Sequence, residues 1–185
     1  MKRLFIGFRI DYSESLGTLY NKMKEKLADE RIKWVDTTGI HVTLAFLGSM
    51  DESKIPEIGR VIEESCGKQG AFDVELAGVG VFKKLTDPRI LWVGMENYQQ
   101  VMTLRERLVS ALGEAGLFSD NRPFRPHVTL GRPKGIADPD RVKKVLDEVK
   151  GITLAPQKVS EIILFESRLK PAGPVYLDLL KVKLS

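Results

Sequence analysis

The chain has 185 residues, 43% of them hydrophobic and 29% charged, enough to bury a core without covalent staples. A single cysteine, Cys66, excludes an intramolecular disulfide and a cysteine-rich zinc site, and fits a reducing cytoplasm. Twenty-nine Lys and Arg against 25 Asp and Glu leave a net charge of +4, which suits an anionic partner such as RNA without demanding one. No apolar run reaches the roughly 20 residues that span a bilayer, so no membrane partner is expected.

The N-terminal stretch RLFIGFRI, Arg3 to Ile10, is interrupted by Arg9 and Asp11 too early for a signal-peptide core and reads as a first strand. Leu16, Leu19, Tyr20, Met23 and Leu27 then recur at helical spacing, predicting a helix from a Ser13 cap to about Ala28. A short strand KWVD and a longer one GIHVTLAFLG follow. Asp51 opens a second helix running to Cys66, and FDVELAGVGVF closes the first half as a strand whose glycines mark bulges or turns.

The second half repeats the order. RILWVGM is a strand, Tyr98 to Ala115 a helix, PHVTLGR a strand and Asp138 to Val149 a helix with Pro139 in its first turn. Two strands finish the chain, VSEIILFES and VYLDLLKVKL, joined by the turn KPAGP. No low-complexity linker separates the halves, so residues 1–185 are expected to form a single unit with approximate repeat halves 1–85 and 86–185.

The same word, HVTL, stands at His41–Leu44 and at His127–Leu130, 86 positions apart, and contains both histidines of the chain. That is how an internal duplication looks once all but its working residues have drifted, and it predicts a pseudo-twofold α+β protein. On a strand, His41 and Thr43 share one face while Val42 and Leu44 share the other, and the second copy does the same with His127 and Thr129. One histidine on a strand is ordinarily structural; two with the same neighbouring hydroxyl form a pattern.

A metal site wants three or four ligands, and no HExxH motif, cysteine cluster or carboxylate group accompanies these histidines, so neither a metal nor another cofactor is expected. A serine hydrolase would need a GxSxG elbow, which is absent. Two imidazoles flanking a phosphate fit better, since histidine titrates near neutrality: one ring takes a proton from water while the other gives one to the leaving oxygen. In-line displacement puts those oxygens on opposite sides of phosphorus, and Thr43 and Thr129 can bond the non-bridging oxygens. A bell-shaped rate profile near neutral pH is the corresponding expectation.

With these motifs, and with RLFIGF, HVTLAFLG, RILWVG, NRPFRPHVTLGR and ESRLKPAGPVYLDL in order, the chain resembles the 2H phosphoesterases along nearly its whole length. Within them it is similar to the RNA 2',3'-cyclic phosphodiesterases formerly called 2'-5' RNA ligases. The resemblance implies a bilobal α+β fold, each lobe an antiparallel sheet with helices on its outer face, and an active-site cleft between the lobes. It implies metal-independent hydrolysis of terminal 2',3'-cyclic phosphates to 2'-phosphates, with His41 as general acid and His127 as general base. It also puts Arg132 beside the phosphate.

Strand alternation would turn Arg132 away from His127 and Thr129 unless the strand ends or bulges at Gly131, and such a change is expected there. Phe5 or Phe8 is a candidate to stack a base, against ordinary core packing, and Arg125 is a candidate phosphate contact. Trp34 and Trp92 read as core or lobe-interface residues. The expected partners are RNA ends or cyclic nucleotides carrying a 2',3'-cyclic phosphate, met by a monomer. Two alternatives stay open: 2'-5' ligation of RNA ends such as tRNA halves, and a non-catalytic RNA-end-binding module.

Overall fold

Strand alternation and helical periodicity build fifteen short and long elements, which the computed structural model describes for residues 1–118, 123–171 and 173–185. Asn121 and Arg122 of the NRPFRPHVTLGR stretch, and Ala172 of KPAGP, lie outside the described residues. The strands are β1 (Lys2–Arg9), β2 (Arg31–Trp34), β3 (His41–Met50), β4 (Phe72–Lys84), β5 (Asp87–Glu96), β6 (Val128–Gly135), β7 (Gln157–Val159), β8 (Glu161–Lys170) and β9 (Gly173–Lys183). The helices are α1 (Glu14–Lys26), α2 (Ile55–Cys66), α3 (Gln99–Glu114) and α4 (Pro139–Val149), with single 3-10 turns at Thr37–Gly39 and Glu52–Lys54.

Local chemistry sets the helix starts. The Ser13 hydroxyl accepts from the Leu16 amide, and the Asp138 carboxylate accepts from Arg141 N at 2.9 Å, satisfying amides that have no partner inside the helix. Asp51 caps the 3-10 turn rather than the second helix itself, which begins four residues later with Pro56 in its first turn. Leu16, Leu19 and Met23 of α1, and Leu104, Leu108 and Leu112 of α3, are essentially unexposed, as their spacing requires.

All strand pairings are antiparallel, in two sheets ordered β3-β1-β8-β9 and β2-β6-β5-β4-β7. Setting aside the edge strand β2, the second order reads β6-β5-β4-β7, and each strand has a counterpart in the first: β6 with β3, β5 with β1, β4 with β8. The helices follow the same relation, α2 packing on α3 and α1 on α4. The sheets nevertheless do not divide the chain at residue 85. β4, from the first half, pairs with β5 of the second, while β8 returns to pair with β1. Each half lends a long strand to the sheet built on the other.

The crossing between sheets also divides an expected strand. VSEIILFES is two strands, because Val159 pairs with Phe72 in one sheet while Glu161 onward pairs with β9 in the other, with Ser160 between them. The hydrophobic core runs under both sheets and includes Leu4, Ile6, Val42, Leu44, Val128 and Leu130. Within GVGVF, Gly78 has φ +67° at a bulge, as expected, but Gly80 has another task. A Cβ there would lie 2.5 Å from the Trp92 ring, so Gly80 makes room for that indole on the facing strand.

Candidate active site

Each HVTL copy is a strand that bulges at its leucine. In the first, Thr43 pairs with Gly7 and Ala45 with Ile6, leaving Leu44 as the extra residue. In the second, Thr129 pairs with Trp92 and Gly131 with Leu91, leaving Leu130 as the extra residue. A bulge puts two successive side chains on one face and so reverses the alternation beyond it. Leu130 and Gly131 are both buried, and Arg132 emerges exposed on the side of Thr129. The expected irregularity is there, one residue before the glycine. By the same device Phe46, 40% exposed, is the counterpart of Arg132 in the first sheet.

The strands carrying the two motifs, β3 and β6, approach each other across the two sheets. Val42 and Val128 are unexposed and anchor their strands, leaving His41 and Thr43, and Thr129 with the adjacent His127, on the opposite face. His41 Nδ1 donates to the Gly39 carbonyl at 2.6 Å, and His127 Nδ1 donates to the Arg125 carbonyl at 2.7 Å. A carbonyl only accepts, so each contact puts the proton on Nδ1 and leaves Nε2 as the nitrogen available to a substrate. The 3-10 turn before β3, capped by Asp36, delivers the Gly39 carbonyl; Arg125 enters the site through its backbone, while its side chain is exposed.

Each imidazole also has an aromatic support from the corresponding third strand. Phe165 of β8 lies 5.8 Å from His41, and Phe82 of β4 stands perpendicular to His127 at 4.7 Å. His41 is further enclosed by Phe5 at 4.9 Å and by the edge of Tyr176 at 4.7 Å. This corrects the expectation for the two N-terminal phenylalanines. Phe5, 3% exposed, is stacked on Phe165 beneath His41, and Phe8, 1% exposed, points to the opposite face and into the core. Neither ring is open to a base. Trp92 lies beside Thr129 and Phe82, close to the site rather than deep in the core.

Burial decides the protonation of the unliganded pair. It pushes the His41 imidazole down to about 4, against the pull of the Gly39 carbonyl, and Arg9, Arg132 and His127 lower it further. His127 is lowered as well, first by burial and then by Arg132, against the pull of the Arg125 carbonyl. Both rings are therefore neutral at pH 7, and Arg132 acts on both. Burial raises the Tyr176 hydroxyl on β9, and the Arg132 charge pulls it back down.

Sequence reasoning missed Arg9, Phe82, Phe165 and Tyr176. Arg9 pairs in register with His41, while its guanidinium meets Asp178 at 2.5 Å and the Thr38 carbonyl at 3.0 Å. Its only sequence signal is an arginine closing the apolar run Leu4–Phe8. Among the described residues no three His, Cys, Asp or Glu side chains come together in a way that would hold a metal ion. No described helix is long and apolar enough to cross a membrane.

The model of the 2'-5' RNA ligase superfamily matches residues 18–169. A Thermotoga maritima protein named RNA 2',3'-cyclic phosphodiesterase is 34% identical over 178 residues, covering 94% of this chain and 91% of the relative. One of the same name from Methanothermobacter thermautotrophicus is 31% identical, covering 92% and 93%. A crystal structure of a Thermus thermophilus protein superposes with a TM-score of 0.75 at 26% identity, covering 98% of this chain and 97% of that one. E. coli LigT shares the fold, with a TM-score of 0.71 at 23% identity over 100% and 98% of the two chains. Two HVTL strands with matching bulges, in sheets of matching strand order, thus occur in a chain that belongs to the 2'-5' RNA ligase superfamily.

Proposed function

We propose that this chain is a hydrolase that opens 2',3'-cyclic phosphates at RNA ends to 2'-phosphates by metal-independent histidine acid–base chemistry. The observation that carries the reading is the paired geometry: two histidines, each held by a backbone carbonyl so that Nε2 serves the substrate, each beside a threonine, with Arg132 acting on both. The relatives named RNA 2',3'-cyclic phosphodiesterase support the substrate class.

Water attacks phosphorus as one neutral imidazole takes its proton; the P–O3' bond breaks, and the other ring, protonated, supplies a proton to O3'. Thr43, Thr129 and Arg132 bond the non-bridging oxygens, whose negative charge is held without reorganisation in the transition state. The product keeps its phosphate on O2'. The active form therefore carries one proton on the pair. The family resemblance assigns His41 as acid and His127 as base; burial disfavours a proton on His41 in the unliganded site, so that assignment requires the bound phosphate anion to restore proton affinity to His41.

Incubation with 2',3'-cyclic AMP and identification of the product tests the reading. Formation of 2'-AMP, lost when either histidine is replaced by alanine, is the expected result; undiminished turnover by the double variant would overturn it. With an RNA 5'-hydroxyl in place of water the same pair would instead form a 2'-5' linkage, again expelling O3', and product analysis with RNA halves separates the two.

A further inference from the structure

Beside the catalytic pair, beyond Arg132 and Tyr176, opens a groove of about 560 Å³ whose lining does not include either histidine. Resting on the function proposed above, we infer that this groove binds the single-stranded RNA that leads away from the cyclic phosphate, so that the preferred substrate is an oligoribonucleotide rather than a cyclic mononucleotide.

Three features support this. One wall is a row of aromatic rings: Tyr12 meets Tyr20 edge-on at 5.9 Å, and Tyr20 meets Trp34 edge-on at 5.5 Å. The row is fixed from behind, since the Tyr20 hydroxyl donates to the Val35 carbonyl at 2.7 Å, while Tyr12 at its outer end is 38% exposed and offers ring surface to a base. Every base has a π-face, so such a wall accepts RNA without reading its sequence.

The second feature is charge. Lys24, Lys33 and Lys170 stand around the groove, and Arg132 closes its inner end. Lys24 and Lys170 are exposed and form no ion pair among the described residues, while Lys33 donates to the Pro171 carbonyl at 3.4 Å. The acid of this lining, Asp36, is turned to the Thr38 amide and hydroxyl at 2.9 and 2.6 Å. Cations left without a protein carboxylate, spaced along an aromatic wall, match a polyanion whose bases need stacking surface.

The third is continuity. Gly39, whose carbonyl holds His41, Arg132, which acts on both histidines, and Tyr176, whose edge meets His41, all belong to the lining. A chain lying in the groove therefore arrives with its terminal phosphate at the acid–base pair.

The test compares 2',3'-cyclic AMP with a short oligoribonucleotide ending in a 2',3'-cyclic phosphate, using the unaltered protein, Tyr12→Ala and the double variant Lys24→Glu, Lys170→Glu. The unaltered protein should have the higher kcat/KM on the oligonucleotide, and each variant should lose at least about fivefold of it. Turnover of 2',3'-cyclic AMP should stay within about twofold, because the changed residues lie away from the histidines. The lysine variant should also show a flatter salt dependence on the oligonucleotide.

Equal losses on both substrates, or none on the oligonucleotide, would overturn the groove while leaving the hydrolysis intact. If neither substrate turns over, the proposed reaction fails instead. Fluorescence anisotropy with a labelled single-stranded RNA ending in a 2'-phosphate then still decides the groove: weaker binding by both variants supports it, and unchanged binding rejects it.

Discussion

The Tyr176 ring on β9 meets the His41 imidazole edge-on with centroids 4.7 Å apart, and the charge of Arg132 on β6 acts on both His41 and the Tyr176 hydroxyl. The cation expected at the phosphate thus acts on the other sheet's histidine and on the ring that flanks it. Arg132→Ala should lower kcat/KM on a cyclic phosphate about 10²-fold, the scale of losing a preorganised donor to developing charge. Tyr176→Phe keeps the ring against His41 and removes only the hydroxyl on which Arg132 acts, so steady-state kinetics should show a raised KM with kcat nearly unchanged.

The pH dependence follows from burial. Because the proposed mechanism needs one proton on the pair, activity should fall at low pH when the second imidazole is protonated and at high pH when the first proton leaves. His41 lies near 4 and His127 below its ordinary value of 6.5 in the unliganded site. The kcat/KM profile should therefore have its maximum on the acid side of 6.5, below the neutral optimum that two ordinary histidines would give. The kcat profile should lie at higher pH, since bound phosphate favours the protonated rings.

The same displacement links to stability. Between about 4 and 6.5 the unfolded chain binds a proton at His41 that the folded chain refuses, so stability rises with pH across that window and is lost as pH falls. The contribution is at most about 3 kcal/mol, because His41 keeps part of its ring open to the cleft. Thermal melts of His41→Gln between pH 4 and pH 7 should show a smaller pH dependence than the parent.

The direction of proton transfer can be read with a substrate that needs no acid. A cyclic phosphorothiolate with sulfur at the 3' bridging position expels a thiolate, which leaves without protonation. With His41 as acid, His41→Ala should regain most of its lost rate on that substrate, and His127→Ala should stay slow by about 10²-fold or more. The reverse pattern would exchange the two roles.

Gly7 is a packing requirement of the site. It faces Thr43 at the bulge, and a Cβ there would lie 2.1 Å from the Val42 carbonyl oxygen, which is fixed backbone. Gly7→Ala should push β3 away from β1 and cost about 1–3 kcal/mol, measured by denaturant unfolding. Activity should fall alongside, as Thr43 and His41 move together.

The helices and the paired HVTL strands were legible because they rest on local periodicity and on a repeated word. Arg132 was legible only with an irregularity added, since strict alternation turns it from the cleft. The leucine bulges that restore it depend on pairing with Gly7 and Trp92, which a single strand does not reveal. Phe8 failed as a base platform for a related reason: an aromatic in a first strand looks the same on either face until its neighbours are known. The exchange of β4 and β8 between sheets, and the Phe82 and Phe165 supports that come with it, are pairings between distant segments, and nothing near Ser160 announces the crossing.

A single proton shared by two histidines across a cyclic phosphate is the core of the proposed mechanism. Phosphorus NMR of 2',3'-cyclic AMP incubated with the protein and EDTA tests it most directly. The expected spectrum shows 2'-AMP forming at an undiminished rate in the chelator, with either His41→Ala or His127→Ala slowing it at least about 10²-fold. A 3'-phosphate product, loss of activity in EDTA, or full turnover by the double histidine variant would contradict it.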